Sequence, residues 1–152
     1  MWRVGVVVAA ALALAAGAQA AIVPQQGIGG ARLGMSQKAV RAALGAPTTV
    51  RRPPNELAPT VVYTYPAVQV TFFGGFRATS VATRSAAQRT AGGVGVGSTE
   101  ARVAAAVPGV RCVTDSGHRH CYVGVWQPGR KVTDFTIRKG RVTRVTVGFV
   151  ID

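Results

Sequence analysis

The chain has 152 residues with 18 Lys and Arg against five Asp and Glu, a formal net charge of +13. That length bounds it to one compact domain or two small ones sharing a core. The five acids, Glu56, Glu100, Asp115, Asp134 and Asp152, are scattered and supply no paired carboxylates for acid and base chemistry, and the cations are dispersed singly, which excludes a basic tail.

The chain opens with Arg3, an apolar run from Val4 to Ala16, and Ala18-Gln19-Ala20. This is the pattern of a signal peptide over residues 1–20, and the apolar run is shorter than the ~20 residues a spanning helix needs. A mature product starting at Ala21 loses only Arg3 among its charges and carries +12. No cysteine follows the cleavage point, so the expected product is secreted or periplasmic, soluble and not lipidated. Export leaves nucleic acid unsuited as a partner, and no later segment reads as transmembrane. The anions such a surface would attract are polyanions of an envelope or anionic lipid head groups.

Glycines at Gly27-Ile-Gly-Gly30 lead to Ser36, a natural N-cap, and then to Val40 and Leu44, an i, i+4 apolar pair. Gly45 and Pro47 stop this short helix. A strand is predicted near Thr48 to Arg51, followed by a surface excursion at Arg52-Pro-Pro-Asn-Glu-Leu-Ala-Pro59, where proline cannot serve a central ladder. Alternation at Val61, Tyr63 and Tyr65, and at Val68, Val70 and Phe72, predicts two strands. Gly74-Gly75 turns the chain into a third, Arg77 to Thr83, and Ser85 to Gly95 reads as a linker.

The pattern then returns. Thr99 is an N-cap, Val103 and Val107 form the apolar pair, and Pro108-Gly109 is the stop. Short extended structure is expected at Val110 to Val113, and then strands carrying Cys121, Val123 and Val125; Thr133, Phe135 and Ile137; and, after a Lys139-Gly140 turn, Val145, Val147 and Phe149. Gly34 to Gly97, Val40 to Val103 and Leu44 to Val107 are each 63 residues apart, the signature of a duplicated unit. The fold class this predicts is α+β: two tandem repeats, each a short helix on a three- to four-stranded antiparallel meander, with sheets able to run together. The boundaries are 1–20 signal peptide, 21–84 first repeat, 85–95 linker and 96–152 second repeat.

Cys112 and Cys121 enclose eight residues and, in an exported chain, are expected to form a disulfide. Zinc held by these thiols with His118 and His120 is the competing reading, but a structural zinc site more often shows a C-x2-4-C pair, so no metal is assigned. Asp115, Ser116, His118 and His120 crowd one hairpin tip, whereas the members of a catalytic triad converge from separate segments, so no catalytic residue is assigned either. Neither glycine run shows G-x-G-x-x-G after a strand, and there is no G-K-[ST], so no phosphate-bound cofactor is expected. Strand alternation places Val123, Val125, Phe135, Ile137, Val145 and Val147 toward the helix, and His120, Tyr122, Trp126, Arg138 and Arg144 on the opposite face. Aromatics interleaved with arginine have the composition of a recognition surface.

The segment Ile28-Gly-Gly-Ala-Arg-Leu-Gly-Met-Ser-Gln-Lys-Ala-Val-Arg-Ala-Ala-Leu-Gly-Ala-Pro47, with Val62-Tyr-Thr-Tyr65 and Val68-Gln-Val-Thr-Phe72, resembles the BamE/SmpA-type outer-membrane assembly lipoproteins. In duplicate, such a unit looks like the secreted β-lactamase-inhibitor-protein type, in which two repeats align strands into one concave sheet. The resemblance implies a non-enzymatic scaffold that binds a protein partner, and it transfers no binding residue. The lipid-bearing cysteine of the BamE type is replaced here by Ala21. The expected function is an exported protein-binding scaffold of the envelope or extracellular space. The alternative is an envelope polyanion- or anionic-lipid-binding protein driven by charge. The partner is thus an unknown protein or an anionic envelope component, with no cofactor.

Overall fold

A computed structural model describes residues 20–151. The expected signal peptide, apart from Ala20, lies outside the described residues. Eleven strands and two short helices follow one another as β1 (Ile22–Val23), β2 (Gly27–Ile28), β3 (Ala31–Arg32), α1 (Gln37–Leu44), β4 (Thr49–Arg51), β5 (Thr60–Thr64), β6 (Gln69–Phe73), β7 (Ser80–Thr83), α2 (Glu100–Ala106), β8 (Arg111–Asp115), β9 (His118–Gly124), β10 (Lys131–Arg138) and β11 (Arg141–Phe149).

Strands β4 to β11 form one eight-stranded antiparallel sheet in the order β4-β5-β6-β7-β11-β10-β9-β8, and β1-β2-β3 form a small second sheet. The expected class, α+β built of two tandem helix-on-meander repeats, is therefore corrected. The described residues are mostly β, and their two helices are single pieces of eight and seven residues. The physical reason lies at the seam. Two separate meanders would each expose two edges of unpaired amides and carbonyls. Here β7 pairs antiparallel with β11, Val81 opposite Val147 and Thr83 opposite Val145, so two of those edges disappear into one ladder.

The 63-residue correspondence survives at the helix entries. Ser36 Oγ accepts from the Ala39 amide as N-cap of α1, and Thr99 Oγ1 accepts from the Arg102 amide as N-cap of α2. The Gly34 amide donates to Ala78 O and the Gly97 amide to Val142 O, and the guanidinium groups of Arg77 and Arg141 donate back to Gly34 O and Gly97 O. Each helix start is thereby tied to a β-hairpin. Each helix is too short to hold itself in water and is fixed by one wholly buried valine, Val40 or Val103.

One face of the large sheet carries the core. Tyr63, Val70, Phe72, Val81, Phe135, Val145 and Val147 alternate inward along their strands and meet Val40, Val103, Ile22 and Ile28 in a single cluster. Residues 85–95 are packed rather than slack. Arg89 O accepts from the Ile22 amide, Val94 is fully buried, and the Arg89 guanidinium reaches Ala86 O, Val96 O and Ser98 Oγ. Among the described residues, no helix is long and apolar enough to cross a membrane.

Candidate functional site on the open sheet face

The face away from the core carries the alternate residues, and the register aligns them in rows. One row runs Tyr122, Asp134, Thr146, Ala82, Gln69, Thr64 and Thr49, across seven strands from β9 to β4. The neighbouring row runs Val113, His120, Thr136 and Arg144.

At the β9 end His120, Tyr122 and Trp126 come together. The His120 and Tyr122 rings stack at 5.7 Å with 25° between planes, and Trp126 meets both edge-on at 5.3 Å. Gly124 makes this possible. Its φ is +109°, and an added Cβ would lie 2.4 Å from Lys131 O, so the strand ends where only glycine fits. The chain beyond it leaves the ladder, and Trp126, 48% exposed, returns over the corner. Val125, expected in the core, is instead exposed for the same reason.

The His120 ring is fixed by Asp134 on the adjacent strand, with Nδ1 to Oδ1 at 2.5 Å. Burial pushes the Asp134 carboxyl above its ordinary range, against the opposing pull of the His120 hydrogen bond and charge, Thr136 and Arg144. Beneath the corner the Cys112–Cys121 disulfide links directly opposed residues of β8 and β9, as the sequence predicts. Glu100 lies with its carboxylate within 4.8 Å of both sulfurs, but a disulfide has no thiolate to offer a metal, and Glu100 is bound by the Arg119 guanidinium.

The other sequence-predicted residues separate. Arg144 lies on the same face as the aromatic group, two strands from His120 across Thr136. Arg138 stands exposed at the far end of β10 opposite Arg141, away from the aromatic rings. His118 faces Asp115 across the exposed end of the β8–β9 hairpin, and the Ser116 hydroxyl donates to Asp115 Oδ1. His120 turns instead to Asp134, so the four polar residues of that hairpin do not assemble into a catalytic set.

No family model and no curated protein matches the chain. A solved structure of a DUF4309 family protein, YjgB from Bacillus subtilis, is similar over 75% of this chain and 78% of that one, at 16% identity and a TM-score of 0.46. A likeness this slight carries no argument about function.

Sequence reasoning missed the partner of His120. Asp134 was visible as one of five acids, but its place beside His120 depends on the β9–β10 register, which no local motif encodes. It also missed the end of the face opposite the aromatic corner. There Arg51 and Arg84, which the sequence does not single out, join Arg144, which it does, in lining an open groove of about 720 Å³ over the β5–β6 turn.

Proposed function

We propose that this chain is an exported, non-enzymatic scaffold that holds a protein partner against the aromatic corner of its open sheet face. The observation that carries the reading is the ring group at this corner, in which Trp126 is half-exposed, Tyr122 is partly exposed and His120 is largely covered. It is braced by Asp134 from the side and by a disulfide hairpin below, so its rings are already ordered before a partner arrives. Preordered aromatics lose little side-chain freedom on binding and make up many of the dominant contacts of protein interfaces. Export is supported by the leader pattern of residues 1–20 and by the disulfide.

The test is capture from an envelope extract of the source organism by wild type and by Trp126→Ala, with thermal melting to show that the variant is folded. A partner held by wild type and lost at least tenfold by Trp126→Ala is expected. Equal recovery by both would remove the corner from the interface.

A second reading, binding of an anionic envelope component, is favoured by a different observation, the charge of +12 on the chain from Ala21 onward, with only five acids to offset the cations. Such binding weakens as salt rises, because exposed charges are screened beyond about 8 Å at physiological ionic strength.

A further inference from the structure

Arg51, Arg84 and Arg144 come from β4, the end of β7 and β11, and meet a groove whose lining includes no carboxylate. Among the described residues the ion pairs are Arg119 with Glu100 and His120 with Asp134, so none of the three groove arginines has an acid within ion-pairing distance. Arg84 and Arg144 are close enough to repel. Burial holds the Arg144 guanidinium below its ordinary range, Arg84 lowers it further, and Asp134 only partly opposes them.

The rest of the groove suits a ligand that bridges the arginines. Gln69 and Thr64 present polar side chains along the row between β11 and β4, and Pro66 and Val68 add an apolar wall. Strands spaced by about 4.8 Å put the backbones of β4 and β11 some four spacings apart, so Arg51 stands at one end and the Arg84–Arg144 pair at the other. Guanidinium forks match phosphate and carboxylate oxygens in pairs, which suits two converging arginines to one oxyanion.

We propose that this groove is a binding site for an elongated ligand with several oxyanion groups, one held between Arg84 and Arg144 and another reaching Arg51. The site rests on the anionic reading above and gives it an address on the fold, on the same face as the aromatic corner, with Arg144 two strands from His120. Phosphate and carboxylate ligands share the required chemistry.

The probes are pyrophosphate, a linear polyphosphate of six units and citrate, titrated calorimetrically into the chain from Ala21 onward at low and physiological salt. Wild type should bind the six-unit polyphosphate saturably. Arg84→Gln and Arg144→Gln should each weaken it at least tenfold, and Lys38→Gln, the same loss of charge on the exposed side of α1, by less than twofold. Arg51→Gln should weaken the six-unit chain and leave pyrophosphate unchanged, because only the longer ligand reaches across. Citrate binding as tightly as pyrophosphate would assign the natural group to carboxylates, and weaker citrate binding to phosphates. Equal losses in Lys38→Gln and the groove variants would overturn the site while leaving general anion attraction standing. An absence of binding by wild type to all three probes would overturn both.

Discussion

Asp134 and Glu100 sit on the two sides of the same carboxylate chemistry, and pH separates them. Glu100 is held below its ordinary range, first by the hydrogen bond from Arg119 and then by its charge. The stability this pair adds is present above the ordinary value and is lost as pH falls through the depressed one. Because the pair is partly exposed and screened by solvent, Glu100→Gln should lower the urea midpoint only slightly at neutral pH, with the difference from wild type closing in acid. Asp134 is raised by burial, so its contribution is present in acid and declines as pH rises through its folded value. Asp134→Asn retains an acceptor for His120 and does not titrate. Its stability relative to wild type should therefore improve as pH climbs from about 4, the ordinary carboxylate value. Urea unfolding midpoints of both variants across the acid range read the two trends. Trends of the same sign would contradict one of the two environments.

Helix entries are the elements most fully written in the sequence. Ser36 and Thr99 cap α1 and α2 as their residue types and the following apolar pairs predict, because a hydroxyl beside an orphan amide is a local matter. Ser36→Ala and Thr99→Ala should each cost about 1 kcal/mol in chemical denaturation, and the double variant should sum them, since the two caps serve different helices. An effect below a few tenths would mean that the ties through Gly34 and Gly97 alone set the helix starts. Strands β5, β6, β9, β10 and β11 were also legible, because period-two alternation at Val61, Tyr63, Phe135 and Val145 marks a half-buried ladder. Strands β1 to β3 were not legible. Two-residue strands have no period, and Ile22 and Ile28 become core residues only through the turn between them and the packing of residues 85–95. The site divides in the same way: Tyr122 and His120 follow from alternation, whereas Trp126 reaches them through the turn after Gly124, and Asp134 meets His120 and Arg51 and Arg84 meet their groove only through long-range pairing.

At the scale of the whole molecule, the decisive contact is the β7–β11 pairing, which joins strands about 65 residues apart. Sequence repeats invite a picture of two units able to melt one after the other. The structure has instead one core cluster, in which Val40, Tyr63 and Phe72 from one end share packing with Val103, Phe135 and Val145 from the other. Removing either end would strip the partner's buried surface and open a sheet edge, so partial unfolding is penalised from both sides. The chain from Ala21 onward should therefore unfold in one transition. Trp126, the single tryptophan of that stretch, reports the β9 corner by fluorescence, while far-ultraviolet circular dichroism reports every strand. The two curves should coincide. Val147→Ala at the seam, where Val147 is fully buried opposite Val81, should lower both midpoints equally by an amount equivalent to about 2 kcal/mol. A fluorescence transition that separates from the dichroism curve, or a seam variant that shifts only one of them, would show that the two ends of the sheet hold together by adjacency and not by a common core.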